Sequence, residues 1–156
     1  MYEKNCSMMV DGKENVARAL FSPKMIVGGV LQPEAFKLRQ SISENYLSVM
    51  RMCFPTWADD IRAIPQRKNR VLYGYAALNV DEIRNIQLDA VAFDVKDCSQ
   101  NSMLSHAGIF VVVNGENLIG GQLSKSVSDA ASQDFLELAI QRKLVDLAQH
   151  NINVLT

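Results

Sequence analysis

The chain is poor in the residues that staple small proteins or carry acid–base chemistry: among 156 residues there are three cysteines, two histidines, one tryptophan and four prolines. Cys6, Cys53 and Cys98 are odd in number and widely spaced, so neither a disulfide framework nor a Cys-x-x-Cys metal knuckle fits them. Reduced thiols are the expectation. No stretch approaches the ~18 consecutive apolar residues of a membrane span. The opening MYEKNCSMMVDGKENV holds no apolar run of signal-peptide length, which points to the cytoplasm. An excess of either charge is also missing. A net charge of −1 excludes general nucleic-acid or membrane-surface binding and leaves room for a local basic site.

What is present suits a folded globular chain. Hydrophobic residues make up 48% and charged residues 21%, which argues against disorder. A chain of this length buries roughly two thirds of its unfolded surface in one core. No repeat, low-complexity tract or linker divides it. Residues 1–14 read as a loose lead-in and 15–156 as a single domain.

Strand patterns recur at VARALF (16–21), NYLSVMRM (45–52), VLYGYAALNV (71–80), AVAFDV (90–95) and HAGIFVVV (106–113). Gly74 inside the third implies a bulge or the close approach of another group. Pro33 with EAFKLR fits a short helix. Thr56, with Asp59 three residues on, is the expected cap of the short helix WADDIRAI, and Asn79 with Glu82 has capping-box spacing for DEIRNI. Asn114-Gly115 is a hairpin signal, from which ENLIGG returns. In ASQDFLELAIQRKLVDLAQHN, Leu136, Ile140, Leu144 and Leu147, joined by Phe135, Ala139 and Ala148, form an amphipathic stripe suited to covering a sheet. The expected fold is α+β: a mostly antiparallel sheet of about five strands under a long C-terminal helix.

Three polar residues interrupt otherwise apolar strands. His106 shares the parity of Phe110 and Val112, and Ala107 and Gly108 leave space beside it. An imidazole at such a strand entrance can act as acid or base; it can equally end a loop. Arg18 lies between Val16 and Leu20 on one parity and needs partners there. It pairs with a structural group, keeps its head in solvent, or grips an anionic ligand bidentately. Ser48 and Tyr46 share one strand face. Ser48 lies mid-strand rather than on a nucleophile's turn, which suits hydrogen bonding or positioning. Tyr73, like Tyr75, can wall a pocket or pack with its hydroxyl at the surface. Asp94, Asp97 and Glu44 can orient an imidazole, but no metal-ligand spacing accompanies them, so neither a metal nor a cofactor is expected. Arg67, Lys68 and Arg70 read as a solvated loop, of interest for phosphate only if Arg51 and Arg62 point the same way.

The combination RALFSP (18–23), GGVLQPEAFKLR (28–39), ENYLSVMR (44–51) and SHAGIF (105–110) resembles a group of uncharacterised bacterial proteins. The resemblance implies that Arg18, Phe36, Ser48 and His106 share one frame, and it names no activity. Locally, HAGIFVVVNGENLIGG also resembles the histidine strand of papain-like peptidases of the NlpC type. That resemblance implies Cys53 as nucleophile and His106 as base. Phe54-Pro55 departs from the small residues such a cysteine uses, and Gln122 is the nearest polar residue where a later partner is expected.

The leading expectation is a bacterial cytoplasmic protein with a pocket for a small anionic or nucleotide-type ligand. Arg18 would hold the anion, Tyr46 and Tyr73 would form walls, and His106 with Ser48 would carry any chemistry. The alternatives are a Cys53–His106 hydrolase and a non-enzymatic interaction or immunity-type module with a protein partner.

Overall fold

The computed structural model describes residues 8–120 and 130–155 together with Cys6. Among the described residues ten strands are formed: β1 (Met8–Met9), β2 (Asn15–Ser22), β3 (Ile26–Val27), β4 (Val30–Leu31), β5 (Leu47–Arg51), β6 (Val71–Asn79), β7 (Val91–Asp97), β8 (His106–Val113), β9 (Glu116–Asn117) and β10 (Ile152–Val154). With them come, in the same described residues, the α-helices α1 (Trp57–Arg62), α2 (Val80–Arg84) and α3 (Ala130–Ala148). Eight strands make one antiparallel sheet in the order β1-β7-β8-β5-β2-β6-β10, with β9 folded back on β8. β3 and β4 form a separate hairpin. The architecture is therefore α+β with a large antiparallel sheet and a C-terminal helix, and the sheet is wider than the five strands expected. The additional strands are two or three residues long, too short for an alternating pattern to mark.

Local chemistry explains most of the elements. Asn114 and Gly115 both have positive φ, 51° and 81°, which turns β8 tightly into β9. The Asn79 side chain accepts the Glu82 amide at 3.1 Å and caps α2. Gly74 serves both roles its position suggested. The β2–β6 register slips beside it, and a Cβ there would lie 1.9 Å from the Asn153 carbonyl oxygen of β10. After Pro33 the chain makes one 3-10 turn, Pro33–Phe36, rather than the short helix expected.

Strand alternation sends two sets of side chains to opposite faces. Val16, Leu20, Leu47, Val49, Leu78, Val95 and Ile109 join the main core with Ile140, Leu144 and Ala148 of α3 and with Phe36. Phe135, expected in the helix's apolar stripe, is instead 78% exposed. The other face holds Ala17, Ala19, Phe21 and Met50 under Ile61 of α1, with Trp57 edge-on to Tyr75.

Two features depart from the sequence reading at the N-terminal end. Met8–Met9, inside the stretch read as a lead-in, pair with β7, and Val10 is buried. Cys6 and Cys98 are joined in a disulfide across 92 residues, correcting the expectation of reduced thiols. Their separation hid the partnership, since only the fold brings β1's approach beside the end of β7. Among the described residues no helix is long and apolar enough to cross a membrane.

One topological detail governs the site. β2 is fully paired with β6, but with β5 it shares only two rungs, Val16↔Arg51 and Ala17↔Met50. Beyond them the strands diverge. The sheet is thus two parts joined at two rungs, with a gap between them.

Candidate functional site

The gap holds a cavity of about 930 Å³. Ala17 and Ala19 of β2, Ser48 and Met50 of β5, and His106 at the start of β8 line its inner part. Ile61 and Ile64 line it from α1 and the turn that follows, and the chain around Arg67–Val71 borders its outer end. Arg18, Ser48 and His106 all line this one cavity.

His106 is buried, and its contacts constrain the proton positions. Nδ1 lies 3.0 Å from the Cys98 carbonyl oxygen, which can only accept, so Nδ1 carries the hydrogen and donates it. Gln100 Nε2 lies 3.3 Å from the same nitrogen, and with Nδ1 donating to the shorter carbonyl contact it makes no hydrogen bond there, since both atoms are donors. In the neutral ring Nε2 is then an acceptor, 3.1 Å from Ser48 Oγ, and the hydroxyl donates to it. Register makes this contact feasible. His106 is paired with Met50 and sits diagonally from Ser48, while Gly108, opposite Ser48, has no side chain to intervene. The Cys98 carbonyl therefore orients an imidazole whose Nε2 lone pair accepts from a hydroxyl, the arrangement a general base needs.

Arg18 occupies the gap itself. Its Nε donates to the Ala35 carbonyl at 2.9 Å and Nη1 to the Ser48 carbonyl at 2.8 Å. In a continuous sheet that Ser48 carbonyl would accept from β2. Arg18 substitutes for the missing rung and holds the serine's main chain in place.

The tyrosines lie elsewhere. Tyr46 is buried beyond the cavity's end, against His106 and Phe110 (ring centroids at 5.7 and 5.2 Å). It fills the space over Gly108, where a Cβ would come within 2.6 Å of its ring. Tyr73 packs at the edge of the main core. Neither is among the lining residues.

Cys53 is exposed and also absent from the lining. Its thiol faces Glu14 Oε1 at 3.3 Å. Burial, and then the Glu14 carboxylate, push its pKa up, the reverse of an activated nucleophile. Unreduced protein treated with iodoacetamide should label Cys53 alone, and more slowly than free cysteine; rapid modification at neutral pH would restore the hydrolase reading. Gln122, the other residue singled out beside it, lies outside the described residues.

The carboxylates named from the sequence serve other partners. Asp94 binds Arg84 (2.9 Å), Asp97 binds Arg51 (2.7 Å), and Glu44 binds Arg39 through both its amide and its guanidinium. Among the described residues no group of three His, Cys, Asp or Glu could hold a metal.

Sequence reasoning underrated the basic loop. Arg67, Lys68 and Arg70 line the cavity without help from Arg51, which is engaged by Glu14 and Asp97, or from Arg62, which pairs with Asp59. Lys24, Lys37, Arg39 and Arg18 join them, so seven cationic side chains face two carboxylates, Glu34 and Glu44. For a chain of net charge −1 this is a strong local asymmetry. Its sequence trace was the run QRKNR, which gives no sign of where the loop folds. No family model, curated protein or solved structure matches the chain.

Proposed function

We propose that the gap between β2 and β5 binds a small anionic ligand, and that His106 acts on it as acid or base with Ser48 as its immediate partner. The observation that carries this reading is the histidine–serine pair on the wall of a cavity whose charged lining residues are mostly cationic. The volume suits a molecule of nucleotide size, since ligand cavities run from about 300 to 1,000 Å³. Apolar lining from Met50, Ile61 and Phe21 would cover the ligand's body. Arg18 contributes by positioning Ser48, since its Nε and Nη1 already serve carbonyl oxygens.

The kinship with uncharacterised bacterial proteins and the cytoplasmic location belong to the same proposal. The disulfide weighs against that location, because such bonds persist mainly in oxidising compartments.

Thermal unfolding in the presence of nucleoside monophosphates, sugar phosphates and short carboxylates tests the reading. At least one class should raise Tm, and Ser48→Ala or His106→Gln should abolish turnover of that ligand while leaving its binding in place. If no class stabilises the protein, or if the bound ligand leaves the His106 ring resonances unmoved, the proposal fails.

A further inference from the structure

The outer end of the cavity is built against ordinary preferences. Arg67 and Arg70 exchange main-chain hydrogen bonds, each 3.0 Å, across a two-residue turn. Directly opposed residues of such a pair project to the same side, and like charges placed so are destabilising. The turn is also anchored: Gln66 Oε1 accepts the Leu72 amide at 3.0 Å.

Arg70 lies over the Phe21 ring, 4.0 Å from its centroid. Its Nε is buried and meets no hydrogen-bond acceptor among the described residues. Burial, with the nearby charges of Arg39 and Arg67, lowers its pKa. The carboxylate close enough to offset this is Glu44, which is already bound to Arg39 at 3.2 Å. Positive charge has been gathered and partly desolvated here without a matching anion among the described residues.

We infer that Arg70, Arg67 and Arg39 form a subsite for a phosphate monoester, whose organic part extends past Phe21 toward Ser48 and His106. This rests on the reading that the cavity takes a small anionic ligand, and it names the substrate class. A phosphate dianion brings two charges and three oxygens, enough to accept from several guanidinium groups at once. A carboxylate brings one charge and two oxygens, and would leave most of the repulsion in place.

Inorganic phosphate and pyrophosphate, compared with acetate at matched ionic strength, provide the test, read by calorimetry and by Tm. Phosphate and pyrophosphate should bind and acetate should not. Arg70→Gln and Arg67→Gln should each weaken phosphate binding roughly tenfold or more. Arg142→Gln, which removes the same charge from an exposed position on α3, should leave it unchanged. Because Arg67→Gln relieves repulsion and, unlike Arg70→Gln, gives up no contact with Phe21, Tm of the ligand-free Arg67→Gln protein should stay level or rise.

The subsite is overturned if acetate binds as well as phosphate, if neither phosphate probe binds, or if Arg142→Gln matches Arg70→Gln. It is equally overturned if Arg67→Gln, which removes charge without a stacking contact, lowers the ligand-free Tm, the mark of a purely structural arginine. Ser48→Ala separates the two levels. Phosphate binding that survives in it, with no turnover by wild type, keeps the subsite and removes the chemistry. Turnover of a non-phosphate anion without phosphate binding does the reverse.

Discussion

Arg51→Ala should cost the fold about 3–5 kcal/mol, read as a fall in the urea midpoint at constant slope. Arg51 grips Glu14 through Nε and Nη2 (2.8 and 2.5 Å) and Asp97 through Nη1 (2.7 Å). All three side chains are close to 15% exposed, so little solvent screens them. The guanidinium ties the approach to β2 and the end of β7 to β5, and also lies over Phe54. Removing it leaves two partly buried carboxylates facing each other without a counter-charge.

The same network sets a pH dependence. The Arg51 guanidinium, against the opposing effect of burial, holds the Glu14 carboxyl below its usual range. At Asp97 burial works upward, and the Ser99 hydroxyl and amide together with Arg51 outweigh it, leaving its pKa lowered. Groups depressed in the folded state contribute stability that is fully present above their unfolded pKa, about 4. That contribution is lost as pH falls through their lower folded values. The stability difference between wild type and Arg51→Ala should therefore be full at neutral pH and shrink below about pH 4. A difference independent of pH, or one under about 1 kcal/mol at pH 7, contradicts the account.

Arg18→Met should cost about 3 kcal/mol, because the Ala35 and Ser48 carbonyls each lose a charged donor in a buried site. Methionine keeps much of the apolar stem, so the loss reports the guanidinium rather than a void. Arg18→Lys should recover less than half, since one ammonium cannot reproduce the fork that reaches both carbonyls. Urea denaturation of the pair decides it. Equal stabilities for lysine and arginine would mean that charge alone matters, and a methionine variant within about 0.5 kcal/mol of wild type would mean the strut is idle.

Periodicity and turn chemistry revealed the longer strands, the Asn114-Gly115 hairpin, the Asn79 cap and the amphipathic α3, because each is a local property. The short edge strands β1 and β10 were not legible, since two or three residues carry no period and their pairing depends on distant partners. Parity put Ser48 on one face of its strand and His106 on the parity of Phe110, without saying that the two faces meet. It put Tyr46 beside Ser48, and could not show that Tyr46 lies outside the cavity lining, where Gly108 gives its ring a place to pack. Arg18 stood out as a polar break in an apolar strand. Its use was hidden because the missing β2–β5 rungs are a feature of the sheet, with no signature in either strand. The loop at 66–70 read as solvated for a related reason: charge content says nothing about what a loop folds over.

The Cys6–Cys98 bond encloses most of the sheet in one covalent ring, and its effect falls mainly on the chain when it is not folded. Closing 92 residues removes loop-closure freedom worth about 4–5 kcal/mol in the chain-entropy description. That is a large fraction of the roughly 5–15 kcal/mol that separates folded from unfolded states. The redox poise of its surroundings thus enters the folding equilibrium as directly as temperature does. Because Cys98 also supplies the carbonyl that orients His106, the surroundings that preserve the fold also preserve the imidazole's alignment.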